Sequence, residues 1–189
     1  EDAFDGVIGD SSNENFWHSA NVDDISTEYL IGILDDTYLV NEVKYYRRGS
    51  AYSGTTYNGR VTACEIYVTT SDVTAENATT VEWTLAATAT NMANEASNTI
   101  TFDVPMAAKA VKMVATQTDG ANATFINKIA TCQELEIFQA VCADDAHVYT
   151  DCFDAICDDC FFVRTDVGNK DESGGGICDV CNGSICTEH

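Results

Sequence analysis

Between Ile25 and Phe138 the chain alternates apolar and polar residues in short runs, with almost no helical periodicity. Leu39, Val43 and Tyr45 share one face of T-Y-L-V-N-E-V-K-Y-Y, and Ile66 and Val68 alternate with Glu65 and Tyr67. Ile100, Phe102 and Val104 alternate in T-I-T-F-D-V, Val111 and Met113 flank Lys112, and Leu135 and Ile137 alternate with Glu134 and Glu136. A period of two marks strands with one buried and one wetted face. Several such runs at short spacing, separated by Gly, Asn, Ser and Asp clusters, predict an antiparallel sandwich rather than an α/β fold. Pro105 is expected just past a strand, where its missing N–H does little harm.

The pattern stops after Ala140. This predicts a β-sandwich over residues 1–140 and a small acidic tail over 141–189. The tail holds Cys142, Cys152, Cys157, Cys160, Cys178, Cys181 and Cys186, seven of the nine cysteines. A C-x4-C-x2-C run is mirrored by C-x2-C-x4-C, with N-K-D-E-S-G-G-G between them as a flexible linker. A segment so poor in apolar bulk needs covalent or metal staples. The 17 residues between Cys160 and Cys178 suit a four-thiolate Zn2+ site. An oxidising compartment would instead convert these thiols to disulfides, which is the favoured reading. Cys64 and Cys132 both precede strands and are candidates to bridge each other. That leaves one tail thiol over, for an intermolecular bridge, a further partner or a free thiol.

Charge narrows the function. The chain carries 31 acidic and 9 basic residues, a formal net charge of −22. Such a surface repels phosphate backbones and anionic lipid, so nucleic-acid binding is excluded. No apolar run approaches the ~18 residues of a membrane span. Glu1 reads as a processed end, since neither an initiator Met nor a signal-peptide pattern precedes it. Asn77, Asn122 and Asn182 each begin an N-x-[ST] glycosylation triplet. Beside nine cysteines they point to an extracellular, secreted glycoprotein. Only three histidines occur, and no G-x-S-x-G, H-E-x-x-H or phosphate-binding loop is present. Paired carboxylates carry no weight in so acidic a chain. No catalytic role is expected.

The opening A-F-D-G, followed by F-W-H-S at Phe16 to Ser19, resembles the first loop of discoidin-type domains. These comprise the coagulation factor 5/8 type C modules and the family 32 carbohydrate-binding modules. V-K-Y-Y-R-R, N-G-R-V-T-A-C-E-I-Y-V-T-T-S-D, V-E-W-T-L-A-A-T-A-T and I-T-F-D-V then follow in the order of that family's strands. A-K-A-V-K-M-V-A-T and Q-E-L-E-I-F resemble its penultimate and closing strands, so the likeness covers residues 3 to 139. It implies a discoidin-like jelly-roll β-sandwich, of the galactose-binding-domain kind.

The resemblance also implies sites. A Ca2+ ion in the opening loop would take oxygens from Asp5, Asp10 and Ser12 or Asn13, completed by Glu134 from the closing strand; hard cations want six to eight such ligands. Family members compress this loop, whereas Val7 and Ile8 are inserted here. A glycan-binding edge would use His18 and Arg48, with Tyr52, Tyr57 and Asn58 in the next loop and Phe125 before the closing strand. Aromatic faces meet the apolar side of a pyranose, while charged or amide groups meet its hydroxyls. The family's Y-x-P-R pattern reads Tyr45-Tyr46-Arg47-Arg48 here, without the proline. A glycan on Asn122 would hang beside the same edge.

Two functions follow. One is a non-catalytic module that binds glycans or glycoproteins. The other is a structural subunit that self-associates into a homo-oligomer or filament. The resemblance implies a strand ahead of Ala3, where only Glu1 and Asp2 stand. A sheet edge left without it would invite pairing by another chain, with disulfides through the cysteine tail as a second link.

Overall fold

A computed structural model of the chain describes residues 2–8, 16–49 and 57–140. The chain divides after Gln139, and the first unit carries every element below. The tail cysteines, Asn182, Asp10, Ser12 and Tyr52 lie outside the described residues.

Seven strands form in order: β1 (Trp17–His18), β2 (Tyr29–Tyr46), β3 (Val61–Thr69), β4 (Thr84–Ala89), β5 (Ser97–Thr118), β6 (Thr131–Cys132) and β7 (Glu134–Gln139). Single 3-10 turns lie at Asp2–Phe4 and Ile25–Thr27. One sheet has the order β4-β3-β5-β2-β7 and the other pairs β1 with β6, all antiparallel. The fold is the expected all-β sandwich.

The predicted inward residues Val43, Tyr45, Ile66, Val68, Ile100, Phe102, Val111, Met113 and Leu135 are buried in one core. Such side chains contribute about 1.5–3 kcal/mol each on burial. The Tyr45 hydroxyl, the polar group that this burial must satisfy, donates to the Thr131 carbonyl at 2.9 Å and accepts the Val61 N–H at 3.0 Å.

Two positions depart from strict alternation, and one irregularity explains both. Val40 rather than Leu39 joins Val43 in the core, and Val104 is 55% exposed. The β2–β5 register runs from Val40↔Met106 to Glu42↔Thr101, so Asn41 alone faces four residues of β5. The odd residue Asn41 swaps the faces of β2 on either side of it, while Val104 lies in the stretch of β5 that has lost its partner. Pro105 sits inside this stretch of β5, not past the strand, and its lack of a donor is harmless where pairing lapses.

The bridge expected between Cys64 and Cys132 is absent, and both are buried free thiols. Cys64 Sγ meets Met92 Sδ at 3.9 Å, while Cys132 Sγ donates to the Glu134 carbonyl at 3.2 Å. Burial pushes the Cys64 thiol up to about 12 and holds Cys132 well above its ordinary value. Neither is a reactive thiol.

Candidate functional site

One end of the sandwich is assembled by backbone hydrogen bonds between distant loops. His18 pairs with Thr131 across β1 and β6. Ser19 N–H donates to the Ala130 carbonyl at 2.9 Å, and Ala130 N–H returns to Ser19 Oγ at 2.9 Å. Thr131 N–H reaches the Gly59 carbonyl at 2.7 Å, and Gly59 N–H reaches that of Asp119 at 2.8 Å. Gly59 takes a φ of +82°, where a Cβ would come within 2.9 Å of Thr131 Cγ2, so glycine is needed at this crossing.

Arg60 locks the same end. Its Nε and Nη2 both contact Asp119 Oδ2 at 2.8 Å, and Nη1 donates to the Met92 and Ala93 carbonyls at 2.9 Å. A guanidinium filled this completely is a scaffold.

On this frame F-W-H behaves as a strand. Trp17 packs against the core, so Phe16 and His18 fall on the opposite side. Their ring centroids lie 6.1 Å apart at 47°, and the Arg48 guanidinium stands 4.5 Å above the Phe16 ring. Arg48 is 7% exposed, and burial lowers its pKa from the ordinary arginine value without discharging it. His18 Nδ1–H donates to the Ser19 carbonyl at 2.7 Å, which leaves the Nε2 lone pair as an acceptor in the neutral ring. Two predicted residues, His18 and Arg48, are therefore joined through a third, Phe16.

The other predicted ligand-facing residues take different parts. Tyr57 is stacked under Arg47, whose guanidinium lies 3.5 Å from the ring centroid. Asn58 is buried, and its Oδ1 accepts Ala121 N–H at 2.8 Å, holding the loop that carries Phe125. Phe125 is half-buried in that loop, beneath Gly120, where a Cβ would lie 2.3 Å from Ile126 N. Asn122 is exposed with Oδ1 accepting Thr124 N–H, whereas Asn77 uses both ends of its amide, on Thr74 N–H and the Asp72 carbonyl. Sequence reasoning missed Phe16 and Arg47. The period-two reading of F-W-H would have found Phe16, and nothing in the sequence pairs Arg47 with Tyr57.

The predicted cation ligands Asp5 and Glu134 also converge. Gly6, at φ +76°, turns its N–H onto Glu134 Oε2 at 2.8 Å, and Asp5 Oδ1 accepts Val7 N–H at 2.9 Å. Burial raises the Glu134 pKa against the Gly6 hydrogen bond, and the neighbouring Asp5 and Glu136 carboxylates raise it further. Among the described residues Glu134 has no cationic partner, and no group of three His, Cys, Asp or Glu assembles there. Two crowded carboxylates without a counter-charge supply the oxygen ligands a hard cation takes, but only two residues toward the six to eight oxygens it needs. An open apolar hollow of about 600 Å³, lined by Phe4, Ile33 and Ile137, lies against Glu134 rather than against the aromatic end.

The sequence model of the F5/8 type C domain matches residues 1–135. The chain belongs to the F5/8 type C domain family. No curated protein matches the chain. Among solved structures, this F5/8 type C domain is similar to the family 32 carbohydrate-binding module of NanJ from Clostridium perfringens, determined in complex with galactose. That match has 26% identity over 72% of this chain and 81% of that chain, with a TM-score of 0.51. A second module, from a family 31 glycoside hydrolase of Clostridium perfringens, has 23% identity over 66% and 75%, with a TM-score of 0.51. The paired modules of Clostridium perfringens ZmpB match at 16% identity over 79% and 34%, with a TM-score of 0.54. The last two share the fold alone.

Proposed function

We propose that this domain is a non-catalytic carbohydrate-binding module that works outside the cell and takes a galactose-like sugar at its aromatic end. The observation that carries this is the convergence of Phe16, His18 and Arg48. An aromatic ring, a charged guanidinium and an imidazole acceptor stand together, and a pyranose needs an apolar face, a donor and an acceptor. Phe16 packs against the guanidinium, which sets the direction of the Arg48 side chain. Galactose in the NanJ module supports the choice of sugar. The N-x-[ST] triplets and the cysteine content support the location.

A Ca2+ ion held by Asp5 and Glu134, with Asp10 and Ser12 from the same loop, would tie the opening loop to β7. Its part is structural, since bound charge there would neutralise two carboxylates and fix the loop before Phe16.

Calorimetric titration with galactose tests the reading. Loss of charge-assisted hydrogen bonds worth about 1.5–3 kcal/mol each predicts at least a ten- to hundredfold weaker Kd in the His18→Ala, Arg48→Ala double variant. An unchanged Kd in a variant with normal thermal unfolding would sink the assignment.

A further inference from the structure

The outer face of the five-stranded sheet carries a second cluster. Val111 and Met113 point into the core, so Lys112 between them stands on the opposite face. Tyr67 of β3 is its direct cross-strand partner, and Tyr29 is diagonal to it across β2, where Ile31 faces Lys112. Trp83 enters just before β4, its ring held by an indole N–H donating to the Ala78 carbonyl at 3.0 Å and by packing on Val73, Ala78 and Ala110. The Lys112 ammonium lies 4.4 Å from the Trp83 ring, 5.0 Å from Tyr67 and 5.9 Å from Tyr29. The Tyr67 hydroxyl donates to Glu65 at 2.6 Å, which fixes that ring.

The charge balance of this cluster is unusual for the molecule. Lys109 and Lys128 pair with Asp72 and Asp23, and Lys44 lies in the field of Glu136 and Glu42. Among the described residues, Lys112 makes no ion pair, and burial is what lowers its pKa. In a chain of net charge −22, a positive group held among three rings and in no ion pair is a place where an anion can bind. Repulsion from the rest of the surface is screened beyond about 8 Å at physiological salt, so the local charge decides.

We propose that Lys112, Tyr29, Tyr67 and Trp83 form a second sugar-binding site that takes an acidic sugar, its ring against the aromatic side chains and its anionic group on the Lys112 ammonium. The site is separate from the aromatic end and does not depend on that reading. Tyr67 lies six residues along β3 from Val61, about 20 Å at ~3.3 Å per residue. Carboxylate and sulfate ester share the required chemistry.

The test titrates the full chain with sialylated, glucuronate-bearing, sulfated and uncharged oligosaccharides. Binding is expected for acidic sugars and weakens with salt; which of the three binds identifies the anion. Lys112→Met keeps the apolar stem and should weaken that binding at least tenfold, whereas Lys112→Arg should retain most of it. The His18→Ala, Arg48→Ala double variant should bind acidic sugars as the parent does. Failure of all three acidic sugars to bind, or a Lys112→Met protein that binds them normally, overturns the proposal. Loss of galactose binding alone would bear only on the aromatic end.

Discussion

Among the described residues, two regions of this sandwich carry charge in no ion pair, and the signs differ. Beside the first 3-10 turn, Asp5 and Glu134 crowd two carboxylates together, one of them buried. On the outer face, Lys112 places an ammonium among three rings. Arg60 supplies the contrast, since a buried cation needed for structure is matched to Asp119 and two carbonyls within the fold. An acidic chain with carboxylates to spare could have paired Lys112 at the cost of one substitution. The comparison teaches that internal pairing marks scaffold, whereas one-signed clusters are where a partner from outside would act: a cation at one and an anion at the other, as proposed above.

The hardest way to break this contrast is to remove the scaffold. Arg60→Ala leaves Asp119 and the Met92 and Ala93 carbonyls without their partner at a loop junction. Breaking a buried pair costs about 3–5 kcal/mol, and the 39% exposure of the Asp119 side chain puts this one near about 3. The denaturant midpoint should fall accordingly, with Lys112→Met nearly neutral in the same measurement. Equal losses in the two variants would erase the distinction between a structural and a ligand-facing cation.

The carboxylate pair makes a prediction with a definite sign. Glu134 titrates above its ordinary value in the folded chain, so the folded state binds the proton more tightly than the unfolded one. In chelator, the Glu134 contribution to stability should therefore be fully present below the ordinary glutamate value of about 4.3 and be lost as pH rises through the raised value, a trend read as the difference between the parent and Glu134→Gln. Ca2+ at a hundred times its Kd should add about 2.7 kcal/mol at neutral pH and remove the decline. Glu134→Gln should abolish both effects. Identical melting with Ca2+ and with chelator at pH 7 would leave the pair as an acidic turn.

Much of this was legible in the residues. Strands with one wet and one dry face announce themselves by period, so Ile66 with Val68 and Val111 with Met113 were placed correctly. The errors fall where a local irregularity interrupts the period: Leu39 lies just before, and Val104 within, a bulge whose extra residues no alternation can reveal. The Cys64–Cys132 bridge failed for another reason. Cysteine arithmetic counts thiols, whereas Met92 and the Glu134 carbonyl supply each sulfur with a neighbour of its own. At the aromatic end, His18 and Arg48 were legible through the motif, but their junction through Phe16 needs the fold. The Lys112 cluster was hidden altogether. Its four residues come from four separate segments, and only the register of β2, β3 and β5 brings them together.

The smallest expected effect sharpens that last cluster most. Tyr67→Phe deletes the hydrogen bond to Glu65 and keeps the ring beside Lys112. The group is largely solvated, so the change in unfolding free energy should stay below about 1 kcal/mol. If the aromatic face is what holds a sugar, acidic-glycan affinity should fall less than threefold in this variant. If the hydroxyl–carboxylate pair is what orients the ring, affinity should instead drop toward that of Lys112→Met. Glu65→Gln separates these cases: it keeps an acceptor for the hydroxyl while removing a negative charge from the neighbourhood of the ammonium. Tighter binding of acidic sugars by Glu65→Gln, with Tyr67→Phe near the parent, is the result expected of a site whose specificity is set by the Lys112 charge.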